Sequence, residues 1–294
     1  MVTTMSIIKK AVIPAAGLGT RMLPATKAIP KELLPIVDKP AIQYIVEEAV
    51  SAGIEDIVII ISRGKSAIED HFDRNPELEG KLISGKKAKE LAHCLDVANL
   101  ANICFLRQKE IKGLGHAVLC AKSVIGNNPF AILYGDDVIM GEKPAAGELA
   151  DAYDKYGLGV AGIKPCSLED ILKYCTLKLE PLEKDIFKIL DMIEKPTPDQ
   201  IFSLYAILGR VVLPSKIFDI LENTQPGAGG EIQLTDAMKA LTLSEGMTGV
   251  EFSGTRYDMG NKLGVMKAVV ETAARHPEIG ARFKEYIKEF ASKI

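Results

Sequence analysis

Asp56–Ile61 reads DIVIII, five β-branched residues in a row behind an aspartate. Six residues are too few for a stable helix, and the run is apolar on both sides, so it predicts a strand buried on both faces. Residues 11–13, 103–106, 130–134 and 159–164 are segments of the same kind. Between them lie stretches with helical spacing. Residues 41–52 place Ile42, Ile45, Val46 and Ala49 on one face and stop at Gly53. Residues 65–72, 81–98 and 148–156 read as further helices, and residues 75–80 as a loop. Buried strands alternating with helices build βαβ units. The expected fold is α/β, a Rossmann-like doubly wound mixed sheet that is mostly parallel. In such a sheet the ligand sits outside the carboxyl ends of the strands, so the residues after each strand are the first candidates for function.

From residue 174 the pattern changes. Residues 174–181, 186–196 and 204–214 are strand-like runs with few helical residues between them. They predict a mixed sheet covering the front of the first half. Residues 215–222 read as a helix. A glycine loop at 226–230 leads into a helix expected to bury Ile232, Leu234 and Ala237, and Asn261 is the expected N-cap of a helix at 262–274. The amphipathic segment 277–290 is expected to pack on the domain or on a second subunit. No repeat, low-complexity stretch or flexible linker interrupts the chain, which reads as one domain with lobes at about 7–140 and 141–294.

With 47% apolar residues, 294 residues can bury a sizeable core without staples. The five cysteines (Cys94, Cys104, Cys120, Cys166, Cys175) are odd in number and form no CxxC pair, so reduced thiols are expected. The four histidines form no ligand-spaced pair. A net charge of −3 with interspersed signs gives no reason to expect nucleic acid or an anionic membrane as a partner. No apolar run approaches the roughly 18 residues of a membrane span, and residues 1–10 lack a signal-peptide core, so a cytoplasmic location is expected.

The strand at 11–13 runs into Ala15, Ala16, Gly17 and Gly19, small residues that let a ligand approach the backbone. Arg21, Lys27 and Lys31 follow, with no acid before Glu32. Free N–H groups beside clustered cations make a polyphosphate site. It is not the dinucleotide fingerprint, whose third glycine would fall on Met22. Nor is Gly64-Lys65-Ser66 the end of a Walker A loop, since the required upstream glycine is Ile59. Gln108 precedes a second glycine turn at Gly113, with a helix expected from about His116. Asp136 and Asp137 end the strand 130–134, a good place for carboxylate ligands to a hard cation.

The run GLGTRMLPATKAIPKELLPIVDKPAIQYIVEE resembles the signature of the sugar-1-phosphate nucleotidylyltransferases, and further matches cover most of the chain. The resemblance implies the nucleotide-diphospho-sugar transferase type of fold. It implies uridylyl transfer from UTP to glucose 1-phosphate with Mg2+, giving UDP-glucose and pyrophosphate, by a homodimer or homotetramer. It gives the backbone from Ala15 to Gly19 the nucleotide, Gln108 the uracil edge and Gly113 the base. Arg21 and Lys31 are implied to neutralise the pyrophosphate, Asp136 and Asp258 to hold the metal, Glu194 to bind sugar hydroxyls and Lys195 the sugar phosphate. Glu231 is implied to lie near the sugar.

The departures from the family pattern cluster on the sugar side. Cys175 stands for a glycine, Leu204 for an asparagine and Gly230 for an aspartate. Tyr134-Gly135 stands where the pattern has leucine and proline. The sugar-binding positions Cys175 and Leu204 therefore imply altered sugar recognition. That leaves open the same chemistry with another nucleotide or hexose 1-phosphate, or a catalytically weak regulatory paralogue that binds nucleotide-sugar.

Overall fold

The computed structural model describes residues 6–293. Residues 1–5, part of the segment read as carrying no leader, and Ile294 lie outside the described residues. The strands, in chain order, are β1 (Lys10–Pro14), β2 (Pro35–Ile36), β3 (Lys39–Pro40), β4 (Asp56–Ile61), β5 (Asn102–Arg107), β6 (Phe130–Leu133) and β7 (Asp137–Met140). They continue with β8 (Gly159–Pro165), β9 (Cys175–Glu183), β10 (Ile186–Glu194), β11 (Tyr205–Leu213), β12 (Met247–Glu251) and β13 (Thr255–Asp258). Among the described residues, nine of these form one sheet in the order β5-β4-β1-β6-β11-β8-β12-β10-β9. Seven point one way; β11 and β10 run against them. The mostly parallel α/β sheet is the expected one.

Both faces of the sheet are covered at its centre, which is why β1, β4, β6 and β11 are largely apolar and buried, while the edge strands β5 and β9 carry exposed polar residues. The helices Ala41–Ser51 and Ala145–Tyr156 pack on one face, around Ile13, Ile59 and Leu133. The helices Leu114–Leu119, Ile217–Asn223 and Leu234–Ser244 pack on the other, around Val12, Ile132 and Val211. After β1 the chain moves outward to β4 and β5, then returns to place β6 on the opposite side of β1. This reversal opens a crevice beyond the carboxyl ends of β1 and β6, the switch point where ligands bind in such sheets.

Several expectations are corrected. The three runs after residue 174 do not form a separate sheet over the front. β11 enters the middle of the main sheet, antiparallel to both β6 and β8, and the β9–β10 hairpin extends its edge. Residues 75–80 are not a loop: Pro76–Ser84 is a helix, with Pro76 at its first turn and the Asn75 side chain accepting from the Leu78 N–H. The long helix expected at 81–98 is broken at Gly85–Lys87, where Lys86 has φ 54, and resumes as Ala88–Ala98. Leu114, not His116, opens its helix, because Gly113 at φ 100 makes the turn. Ile232 is partly buried but precedes the helix Leu234–Ser244. The final helix begins at Gly280, packs on the helix Lys262–Arg275 through that glycine, and leaves Tyr286 and Phe290 exposed. Among the described residues no helix is long and apolar enough to cross a membrane.

Candidate active site

The first wall of the crevice is the loop after β1. Ala15 and Ala16 are buried, and the Ala15 N–H donates to the Ile60 carbonyl at 2.8 Å, so the loop leaves the sheet along β4. Gly19 turns left-handed at φ 67, and a Cβ there would press on Lys31 and Thr26. The Lys31 amine lies over Gly17, 3.7 Å from where a side chain on that residue would begin. Beneath the loop, the buried Lys65 ammonium donates to the Ala15 carbonyl at 2.5 Å and to both oxygens of the fully buried Glu32, at 2.9 and 2.8 Å. Burial pushes Glu32 up and Lys65 down, each against the pull of its partner.

The second wall follows β6. Gly135 must be glycine, since a Cβ would stand 2.6 Å from the Pro14 carbonyl oxygen. Asp136 then meets the first wall: Lys31 Nζ donates to its Oδ2 at 2.5 Å, and an Arg21 nitrogen lies 3.8 Å from the same oxygen. Burial would raise the Asp136 carboxyl, but the Lys31 and Arg21 charges hold it below the ordinary aspartate value.

β13 pairs antiparallel with β7, setting Asp258 opposite Asp137 and bringing in the third wall. The Met259 N–H donates to the Asp136 carbonyl at 2.8 Å. An Arg21 Nη, Asp258 Oδ1 and Asp136 Oδ2 lie 2.5, 2.8 and 3.1 Å from one point, the place a Cβ on Gly260 would occupy. The two carboxylates predicted as metal ligands therefore face a common space. Asp258 is held by the Gly260 N–H on Oδ1 at 2.7 Å and by the Tyr174 hydroxyl on Oδ2 at 3.0 Å. Arg256 donates to the Tyr174 hydroxyl at 3.2 Å and to Asp137 at 2.7 Å. Burial pushes Asp137 up to about 6 even against Arg256, so it is a support for the site rather than an open anion.

Gln108 and Gly113 form a neighbouring pocket wall. A Cβ on Gly113 would stand 2.7 Å from the Glu231 side chain and 2.8 Å from the Ile232 carbonyl oxygen, so the two glycine-bearing loops are seated on each other. Gln108 is buried, with its amide nitrogen on the Gly113 carbonyl at 3.2 Å and on His116 Nδ1 at 2.9 Å. Both of its N–H bonds are thereby directed inward, and the carbonyl oxygen is the group left to accept. Glu231 is exposed.

On the sugar-side positions the structure is uneven. Glu194 is partly buried, accepts from the Thr235 hydroxyl at 2.8 Å, and is raised by that burial. Lys195 is exposed, its charge acts on the neighbouring Glu194, and its backbone is left-handed at φ 46. A lysine in that conformation is strained and is held by its N–H on the Tyr174 carbonyl at 2.7 Å. The Cys175 sulfur turns into the core beside Leu177 and Met192, where it accepts from the Ile207 N–H and burial pushes its thiol up to about 12. The Leu204 side chain is 45% exposed. Neither adds a polar side chain to the crevice. Sequence reasoning missed Lys65, Glu32, Tyr174, Arg256 and Thr235 as members of the site; Glu32 carried the one signal, as the first acid in a basic loop.

A family model described as nucleotidyl transferase matches residues 10–275. A Bacillus subtilis protein named UTP–glucose-1-phosphate uridylyltransferase YngB is 50% identical over 282 residues, 96% of this chain and 95% of its own. A Staphylococcus epidermidis protein named UTP–glucose-1-phosphate uridylyltransferase is 49% identical over 285 residues, 97% of this chain and 99% of its own. The solved UTP-bound UGPase from Acinetobacter baumannii superposes with a TM-score of 0.89 at 39% identity, covering 96% of this chain and 99% of that one. A UDP-glucose pyrophosphorylase complexed with UDP-glucose gives 0.83 at 39% identity, covering 92% and 100%.

Proposed function

The chain belongs to the nucleotidyl transferase family, and from that premise we propose that it joins UTP to glucose 1-phosphate, giving UDP-glucose and pyrophosphate. The observation that carries this reading is the meeting of Lys31, Arg21, Asp136 and Asp258 at the switch point of the sheet.

In this reaction a sugar-phosphate oxygen attacks the α-phosphorus of UTP and pyrophosphate leaves. A phosphate monoester has its second pKa near 6, so the nucleophile needs no general base. The obstacle is repulsion between anions, about 4 kcal/mol for two unit charges ~4 Å apart at an effective dielectric near 20. The backbone from Ala15 to Gly19 cradles the nucleotide, its N–H groups after Ala15 free to donate, with Arg21 and Lys31 on the leaving pyrophosphate. The Gln108 carbonyl oxygen accepts from the uracil N3–H, and Gly113 packs on the base. Lys195 holds the sugar phosphate in line and Glu194 orients the hexose. Asp136 and Asp258 would hold a divalent cation, Mg2+ by expectation, and such an ion neutralises phosphate oxygens as a Lewis acid. The residues fit one. Their carboxylates converge on a single space that the Arg21 guanidinium also enters. A pair of carboxylates completed by phosphate oxygens and waters is what Mg2+ takes.

Residues of about 7–140 are the nucleotide lobe of a single domain and 141–294 the sugar lobe. The enzyme is cytoplasmic and forms a homo-oligomer. A second reading, the same transfer with another hexose 1-phosphate, is favoured by the apolar side chain of Leu204 at a sugar position. Pyrophosphate release measured across five nucleoside triphosphates and several hexose 1-phosphates tests both. The highest kcat/KM is expected for UTP with glucose 1-phosphate. A higher value for another pair, or no release with any, would overturn the assignment.

A further inference from the structure

Tyr174 stands one residue before β9, the strand whose first residue, Cys175, pairs with Glu194. Its backbone is held on both sides. Its N–H donates to the Asp170 carbonyl at 3.2 Å, and its carbonyl accepts from the Lys195 N–H at 2.7 Å. Its ring lies under the Arg256 guanidinium, whose carbon is 4.9 Å from the ring centroid. Backbone and ring are thus fixed by contacts that do not involve the hydroxyl.

The hydroxyl sits between a cation and a carboxylate. Arg256 Nη1 is 3.2 Å away and Asp258 Oδ2 is 3.0 Å away. A guanidinium has no acceptor, so its N–H donates to the phenol oxygen, and the phenol proton is left for Asp258. The hydrogen bond to Oδ2 therefore runs in one direction only. With Oδ2 anchored in this way, Oδ1 is the oxygen in the space shared with Asp136 and Arg21, where it also accepts from the Gly260 N–H at 2.7 Å. Arg256 Nη2, already on Asp137 at 2.6 Å, lies 3.9 Å from Asp258 Oδ2. Without the phenol it is a competing donor for that oxygen, and a carboxylate that turned to meet it would carry Oδ1 out of the shared space.

Resting on the reading of Asp136 and Asp258 as a cation pair, we propose that Tyr174 is a positioning residue whose phenol sets the Asp258 carboxylate for the divalent ion. A partner that orients a ligand without touching the metal typically changes metal affinity by about 10–100-fold when it is removed. Tyr174→Phe keeps the ring and both backbone bonds, so it cuts the tie to Asp258 and leaves the tie to Lys195. Mn2+ binding to the protein with equimolar UDP-glucose, read from the paramagnetic resonance of the free ion, is expected to weaken about tenfold. The Mg2+ needed for half-maximal turnover rises to match, while the KM for glucose 1-phosphate stays within about twofold. Tyr174→Phe combined with Asp258→Asn is expected to bind Mn2+ no more weakly than Asp258→Asn alone, because the phenol acts through that carboxylate. Wild-type Mn2+ affinity in Tyr174→Phe, beside a weakened Asp258→Asn, would overturn the proposal and leave the cation pair standing. Additive losses in the double variant, or a KM for glucose 1-phosphate raised in step with the metal requirement, would also overturn it, since a general loss of structure gives that pattern. No Mn2+ binding by the wild type, or unchanged binding in Asp258→Asn, would overturn the cation pair and the proposal together.

Discussion

Lys195 holds a left-handed backbone that a glycine would adopt at no cost, and its ammonium lies within electrostatic reach of Glu194. Strain of this kind, of order 1–3 kcal/mol, persists where the surrounding structure fixes it. Here the fixing contact is the Tyr174 carbonyl, and the Tyr174 hydroxyl in turn holds Asp258. Lys195 and one carboxylate of the proposed cation site are thus set by one tyrosine. Lys195→Ala is expected to lower kcat about 100-fold or more, with the KM for UTP within about threefold, in steady-state assays. Wild-type turnover in that variant would remove Lys195 from the reaction. Asp136→Asn and Asp258→Asn should each raise the divalent cation needed for half-maximal rate by about tenfold, ~1.4 kcal/mol of binding free energy. Unchanged metal dependence in either would count against the shared site. The loop residues Gly17, Gly19, Arg21 and Lys31 could be singled out in the sequence because they lie within one short segment. Tyr174 and Arg256 could not, because each takes its meaning from a partner about 80 residues or more away in the chain, at Asp258 and Asp137.

The loop after β1 has no regular structure beyond short 3-10 turns at Thr20–Met22, Ala25–Lys27 and Lys31–Leu33, so something must hold it. The Lys65–Glu32 pair does so from beneath, joining the start of the helix Ser66–Phe72 to the segment that carries Lys31 and to the end of β1. Breaking a buried pair strands an uncompensated charge and costs about 3–5 kcal/mol, whereas replacing both members by apolar groups costs far less. Lys65→Met is therefore expected to destabilise the protein by about that amount in urea unfolding, and Lys65→Met with Glu32→Leu to recover most of it. The double variant should still bind UTP more weakly than the wild type, because the Ala15 carbonyl has lost its donor. Equal stability of the single and double variants would deny the pair its coupling. The strands and most helices were readable from periodicity. What sequence spacing could not show was order across the sheet: β11 is an ordinary apolar run, and nothing local says it enters between β6 and β8. The helix Pro76–Ser84 was lost for a different reason, since its capping signal, Asn75 before Pro76, is also a turn signal.

At the scale of the whole molecule, the insertion of β11 bears on whether the two lobes can come apart. Its neighbours are β6 from the first half and β8 from the second, so removing the second half would expose a bare sheet edge at β6. A buried ion pair reinforces the join. Arg210, in β11, donates to both oxygens of Glu48 at 2.9 and 2.6 Å, and Glu48 also accepts from the Ala146 N–H at 3.0 Å. One carboxylate thus links the helix Ala41–Ser51, the helix Ala145–Tyr156 and the middle of the sheet. Lobes joined this way have no stable half to leave behind, and unfolding is expected to be a single cooperative step. Urea transitions followed by far-ultraviolet circular dichroism and by hydrogen exchange of peptides from β1 and from β10 should coincide. Arg210→Met, which leaves Glu48 buried and unpaired, should shift both curves together, by about 3–5 kcal/mol. If the β10 peptides exchange at a urea concentration where β1 remains protected, the lobes are separate folding units and the sheet is not the continuous core it is taken to be.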